Sequence, residues 1–231
     1  MDKTRGPIKV KLLKDLLRID PDRTVDFKVL DIGGTRVTST FIKDLFPGSE
    51  LYYANIDPHS LNDVEGAIIA DGTGLPFRDE CLDIVTSFDT IEHLVSPDAL
   101  VKEVHRVLKQ DGLFALATPN LADIYSRLAF LAGYVPFSYH PGDHMFGCAI
   151  ISGTRKGGVH KSVFTFRALQ EMLEYYGFKV ERVEGYTYND EFYRTLTPHF
   201  ESVGFNKLRL IMNILLPVRL KECLVFLCQK S

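Results

Sequence analysis

Along most of this chain, short apolar runs that stop on a polar residue alternate with longer stretches in which apolar positions recur every three or four residues. The first pattern is that of a buried strand and the second that of an amphipathic helix. Residues 8–18, IKVKLLKDLLR, put Ile8, Leu12 and Leu16 on one face with lysines opposite, which predicts an N-terminal helix within residues 1–22 that ends near Pro21. FKVLDI (27–32) predicts a first strand, and TSTFIKDLF (38–46) a helix opened by Thr38 and Ser39 and closed by Pro47 and Gly48. LYYANID (51–57), GAIIAD (66–71) and CLDIVTSFD (81–89) read as the second, third and fourth strands. SPDALVKEVHRVLK (96–109) is a helix with a Ser-Pro-Asp start, and GLFALATPN (112–120) is a fifth strand. A helix over 165–178, a strand over 179–188, a helix over 205–217 and a strand over 222–230 complete the series.

Strands that alternate with helices imply βαβ units and a mostly parallel sheet, so the fold class is α/β, doubly wound, with seven strands and helices on both faces. One domain spans 1–231 on this reading. Residues 121–163 interrupt it: after one helix-like piece, LADIYSRLAFLAG, they lose strand alternation and become rich in Gly, Pro, His and Tyr. A stretch of that length inside a compact domain is expected to be a substrate-recognition insert or lid.

Composition narrows the function classes. Of 231 residues, 45% are hydrophobic and 25% charged, the balance of an ordinary globular chain, and a net charge of −3 exerts no overall pull toward nucleic acid. Cys81, Cys148, Cys223 and Cys228 match no zinc spacing, and lysines and an arginine interrupt any apolar leader at the start. A cytoplasmic protein with reduced thiols is expected. No run approaches the ~18 apolar residues of a membrane span. The closest, within 205–231, is basic and amphipathic; contact with a membrane surface is one reading of it, and a last helix with an antiparallel edge strand is the preferred one.

The candidate chemistry lies at the strand ends. Asp31, Asp57, Asp71 and Asp89 each close a predicted strand, and in open α/β sheets ligands bind outside the carboxyl ends of the strands. Acids there suit amines and ribose hydroxyls and repel a pyrophosphate; the G-x-G-x-x-G of a dinucleotide loop is also missing.

About 95 residues in continuous order carry a more specific signal: VLDIGGTRV, YYANIDPHS, and IIADGTGLPFRDECLDIVTSFDTIEHL leading into a helix and LKQDGLFALATPN. In these runs the chain resembles the class I S-adenosylmethionine-dependent methyltransferases, particularly the broad small-molecule group called methyltransferase type 11. The resemblance implies a Rossmann-like sheet whose last strand is antiparallel, S-adenosylmethionine as cofactor and S-adenosylhomocysteine as product. It implies that Asp31, Gly33 and Gly34 meet the methionine portion, Asp57 the ribose hydroxyls, Asp71 and Gly72 the adenine, and Phe88 and Asp89 the methyl-transfer site. Leu75, Pro76 and Phe77 would flank the adenine.

The chain departs from the family where D-x-G-x-G-x-G is usual, because Thr35 and Val37 replace the second and third glycines. Side chains there would narrow the cleft, and any positive φ would be strained, unless Gly34 supplies the turn one residue early. His140, His144 and His160 in the insert are the candidates for substrate contact or general base, the last because related enzymes carry a histidine shortly before the FT of the following helix. His93 is expected to fix the loop before its helix. No metal is expected, although His140, Asp143, His144 and His160 offer imidazole and carboxylate ligands.

The expected activity is in-line transfer of the sulfonium methyl to a small-molecule acceptor, which can be glycan- or lipid-linked, with no nucleic-acid partner. The alternative is a non-catalytic relative that uses its altered loop for scaffolding or regulation. A nicotinamide-dependent oxidoreductase is the third reading, disfavoured by the missing glycine fingerprint.

Overall fold

The computed structural model describes residues 26–139, 146–148, 159–187 and 214–231. The N-terminal helix expected at 8–18 and the helix expected at 205–217, but for its last four residues, lie outside them. So do His140, Asp143 and His144 of the expected insert.

Seven strands form one sheet: β1 (Lys28–Ile32), β2 (Glu50–Asn55), β3 (Ala67–Ile69), β4 (Leu82–Phe88), β5 (Leu108–Pro119), β6 (Phe178–Tyr186) and β7 (Cys223–Lys230). Their spatial order is β3-β2-β1-β4-β5-β7-β6. β1 pairs in parallel with both β2 and β4, and β5 continues the parallel run beside β4. β7 is antiparallel to both β5 and β6. The last strand is therefore antiparallel as expected, but it is not an edge. It is inserted between its neighbours, and all of its residues except Gln229 are buried.

Strand alternation explains why helices occupy both faces. Leu30 and Ile32 join one apolar cluster while Val29 joins the other; Phe114 and Leu116 separate in the same way from Ala115 and Ala117. On the first face pack α2 (Pro97–Val107), through Leu100, Val101 and Val104, and α4 (Phe166–Tyr175), through Leu169 and Leu173. On the second face packs α1 (Arg36–Leu45), through Ile42 and Leu45. With both faces covered, the central strands read as nearly continuous apolar runs.

α1 begins two residues earlier than the sequence suggests. Thr35 is its N-cap: Thr38 N donates to Thr35 Oγ1 at 3.2 Å, and Thr35 N donates to Thr38 Oγ1 at 2.7 Å. This reciprocal capping box satisfies two backbone donors and places Thr38 and Ser39 inside the helix. In the expected insert, α3 (Ile124–Leu131) starts at the buried Asp123, whose Oδ1 accepts from Tyr125 N and Ser126 N. Burial pushes the Asp123 carboxyl up from its ordinary value. Among the described residues, no helix is long and apolar enough to cross a membrane.

Arg106 on α2 anchors the segment that follows β3. Its guanidinium donates to the carbonyls of Leu75 (3.2 Å) and Phe77 (2.9 Å) and pairs with Glu103 and Asp79, each at 2.6 Å. Leu75 N donates in turn to Glu103 Oε1 at 2.7 Å. Leu75 is buried in the core, Pro76 is exposed, and Phe77 meets the Tyr52 ring edge-on at 5.2 Å.

Candidate active site

The strand order reverses between β1 and β4: the chain runs outward from β1 to β3, then returns to lay β4 on the other side of β1. The crevice at the carboxyl ends of those two strands is where an α/β sheet presents a ligand site. A cleft of about 520 Å³ opens there, with Gly33, Asn55, Asp71, Asp89, Thr90 and His93 in its wall. That volume lies in the usual range for a small-molecule site, roughly 300–1,000 Å³.

The floor of the cleft is a tight crossing of two loops. Gly33 takes φ +78, and a Cβ built on it would fall 2.0 Å from Thr90 Oγ1. Gly33 N and Gly34 N both donate to Ala54 O, at 2.8 and 3.2 Å. Thr90 Oγ1 donates toward Phe88 O (3.1 Å) and Ile32 O (3.3 Å), which joins the ends of β4 and β1. Glycine is thus required at 33 for two separate reasons, a left-handed backbone and close approach. Gly34 keeps an ordinary φ, so the left-handed turn falls at Gly33 and not one residue later. Thr35 is extended at φ −138 and Val37 is helical, so neither has a positive φ and the strain anticipated at these positions does not arise.

The four acids occupy four different situations. Asp31 is inside β1, paired in register with Thr86, and is buried; its Oδ1 accepts from Thr86 Oγ1 at 2.7 Å. It lies beneath the loop, since a Cβ on Gly34 would come within 3.3 Å of Asp31 Oδ2. Burial, reinforced by the charge of Asp31, pushes the neighbouring Tyr53 phenol up to about 12. Asp57 is exposed and caps a short 3-10 helix, Pro58–Leu61. It accepts from His59 N at 3.0 Å and Ser60 Oγ at 2.8 Å, and the Ser60 hydroxyl holds its carboxyl below the ordinary value. It is absent from the cleft wall, where the expected ribose acid would stand.

The residue that ends β2 at the cleft is Asn55. Its Nδ2 donates to Gly34 O at 2.7 Å and its Oδ1 accepts from Asp57 N at 2.9 Å, so the amide ties the glycine loop to the turn after β2. Asn55 also lines a smaller adjoining cavity of about 100 Å³, together with Ala54, Ala70, Asp71, Gly72 and Thr90. Neither Asn55 nor Thr90 stands out in the sequence. The available signal for Asn55 is its position as the last residue of the LYYAN run, two short of the aspartate that draws the eye.

Asp71 lines both cavities, with Oδ1 held by Thr73 N (2.9 Å) and Thr73 Oγ1 (2.8 Å) in an Asx turn. Gly72 lies against the core: a Cβ there would meet Ile32 Cγ2 at 2.7 Å. Phe88 turns inward into the second apolar cluster and is not part of the cleft wall, whereas Asp89 lines the cleft in a left-handed conformation, φ +48.

His93, in the cleft wall, meets a second histidine behind it, His160. The rings of His93 and His160 pack edge to face with centroids 5.0 Å apart. His93 Nδ1 bonds Val159 O and His160 Nδ1 bonds Ser138 O, both at 2.8 Å. Those partners are carbonyls, which only accept, so each Nδ1 carries the proton and the lone pair of each neutral ring sits on Nε2. His93 does fix its loop as expected. Its partner is the segment before α4, which also closes down through Ser162 N to Glu92 O and Ser162 Oγ to Leu94 O, each at 3.0 Å.

Comparison with known proteins agrees with this architecture. Residues 30–116 match a family model described as a methyltransferase domain. A probable S-adenosylmethionine-dependent methyltransferase of Mycolicibacterium smegmatis is 31% identical over 111 residues, 48% of this chain and 34% of that protein. A malonyl-acyl-carrier-protein O-methyltransferase of Geobacter sulfurreducens is 29% identical over 100 residues, 39% of this chain and 38% of that protein. The chain thus spans about a third of the length of these two curated relatives. Among solved structures, a SAM-dependent methyltransferase from Archaeoglobus fulgidus superposes with a TM-score of 0.60 at 18% identity, covering 98% of this chain and 94% of that one.

Proposed function

We propose, from the premise that this chain belongs to the class I S-adenosylmethionine-dependent methyltransferases, that it moves the sulfonium methyl of that cofactor to a small-molecule acceptor bound in the same cleft. The observation that carries the reading is the cleft at the strand-order reversal, lined by Asp71, Asp89 and Asn55 and closed beneath by a glycine too tight to bear a side chain. Carboxylates and an amide there suit a cationic ligand with an amine and ribose hydroxyls. Gly33 and Gly72 allow its close approach to the backbone.

When bound, the cofactor supplies an already activated methyl group, so the chain's own contribution is alignment, exclusion of water and management of one proton. In this reading Asp71 and Gly72 take the adenine, and Asn55 replaces Asp57 beside the ribose. Asp31 supports the loop from below, packed under Gly34. Asp89, at the end of β4, borders the transferring methyl. The acceptor enters past His93, and the Nε2 of His160, which packs against it, is the nitrogen able to take the acceptor's proton. Hydroxyl, carboxyl, amine and carbon acceptors are distinct outcomes. The carboxyl reading draws on the malonyl-acyl-carrier-protein relative, and a glycan- or lipid-linked hydroxyl on the apolar and histidine-rich insert.

The test is methyl-labelled S-adenosylmethionine incubated with pools of small acceptors of each class. Label transferred with stoichiometric S-adenosylhomocysteine supports the proposal. Bound cofactor with no transfer to any pool favours the non-catalytic alternative.

A further inference from the structure

The histidine pair has a third neighbour. Glu92 follows directly from the loop that crosses Gly33, is 2% exposed, and its Oε2 accepts from Thr118 Oγ1 of β5 at 3.1 Å. One ligand atom from each of Glu92, His93 and His160 lies within 4.8 Å of the others.

We propose that Glu92, His93 and His160 form a site for a divalent transition-metal ion of the zinc class. Three observations support it. The donor set, two imidazoles and one carboxylate with an open fourth position, is that of catalytic rather than structural zinc sites. Both rings are tied through Nδ1–H to backbone carbonyls, Val159 O and Ser138 O, the outer-shell arrangement that fixes the tautomer and turns Nε2 toward an ion. The centroid separation of 5.0 Å agrees with the spacing of ~5 Å for two imidazoles on one tetrahedral ion at ~2.1 Å.

The ligand atoms would contract from the observed 4.8 Å limit to ~3.3 Å around such an ion. Of the three ligands His93 lines the cleft, which places the site beside it. If the methyl-transfer reading holds, on which this last step rests, the ion takes over from His160, whose Nε2 is then a ligand and no longer a base, and selects acceptors with an ionisable oxygen, hydroxyl or carboxyl, by binding that oxygen and lowering its pKa.

The experiment uses the full chain after chelator treatment, without cofactor. Zn²⁺ is titrated calorimetrically and Co²⁺ by its visible absorption, on wild type, His93→Ala, His160→Ala and Glu92→Gln. The expected result is one ion per chain, a Co²⁺ spectrum of low-coordinate intensity, and at least tenfold weaker binding in each histidine variant. Absence of saturable binding in wild type overturns the proposal, as does binding that both histidine variants retain. If Glu92→Gln proves unstable in a thermal melt, the two histidine variants decide alone. A separate S-adenosylmethionine titration of the same preparations keeps failure of the metal site distinct from failure of the cofactor site.

Discussion

Gly33 is the residue on which the cleft turns. Its φ of +78, and the 2.0 Å that would separate an alanine Cβ from Thr90 Oγ1, leave no room for a side chain. Gly33→Ala is expected to cost on the order of 1–3 kcal/mol of stability, read as a lowered melting temperature, and to abolish cofactor binding by pushing Thr90 and the β4 end outward. Thr35 behaves oppositely. Its side chain is committed to the capping box, so Thr35→Gly, which restores the glycine usual in the family, is expected to leave cofactor affinity within about twofold and stability within a few tenths of a kcal/mol. A large gain in affinity would mean that Thr35 does narrow the cleft. At this scale the sequence was informative about kinds of residue and less so about their duties. Asp71 and Asp89, both singled out as strand-end acids, line the cleft; Asp57, singled out for the same reason, does not, while Asn55, which gave no such signal, does. Only the turn geometry shows that Asp57 caps the 3-10 helix through His59 N and Ser60 Oγ.

Elements were read more securely than single residues, because apolar periodicity and caps act over many positions. Every strand of the sheet was present in the sequence pattern, with ends displaced by a few residues; α1 moved forward because Thr35 competes better for the cap than Thr38. Position within the sheet was not legible. The continuous apolar run LVFLC was compatible with a strand covered on both faces, yet nothing local places β7 between β5 and β6. At the far end of α2, His105 sits edge-on to Phe178 at 5.4 Å and close behind Gly177, whose absent Cβ would be 2.9 Å from its Nε2. Burial first, and then the charge of Lys230, push its imidazole below the ordinary value of 6.5. The fold therefore prefers the neutral ring, while the unfolded chain takes up a proton more readily. His105 then permits full stability above the unfolded pKa, and stability falls as pH drops below it. Melting temperatures recorded from about pH 8 to pH 5 should decline toward acid in wild type and decline less in His105→Gln. Equal slopes would contradict this assignment.

For the whole molecule, the fold and the cleft agree on one location, the reversal between β1 and β4. Fold class followed from alternation and the site's position followed from fold class, so both were legible in the chain itself. The pairing of His93 with His160 was not, since 66 residues separate His93 from its carbonyl partner Val159 and only the closed loop brings them together. The decisive measurement is calorimetric titration of the full chain with S-adenosylmethionine, comparing wild type with Asp71→Ala, Asn55→Ala and Asp57→Ala. The account predicts saturable one-to-one binding that is weakened at least tenfold in the first two variants and nearly unchanged in Asp57→Ala. No binding by wild type, or a loss confined to Asp57→Ala, would contradict it.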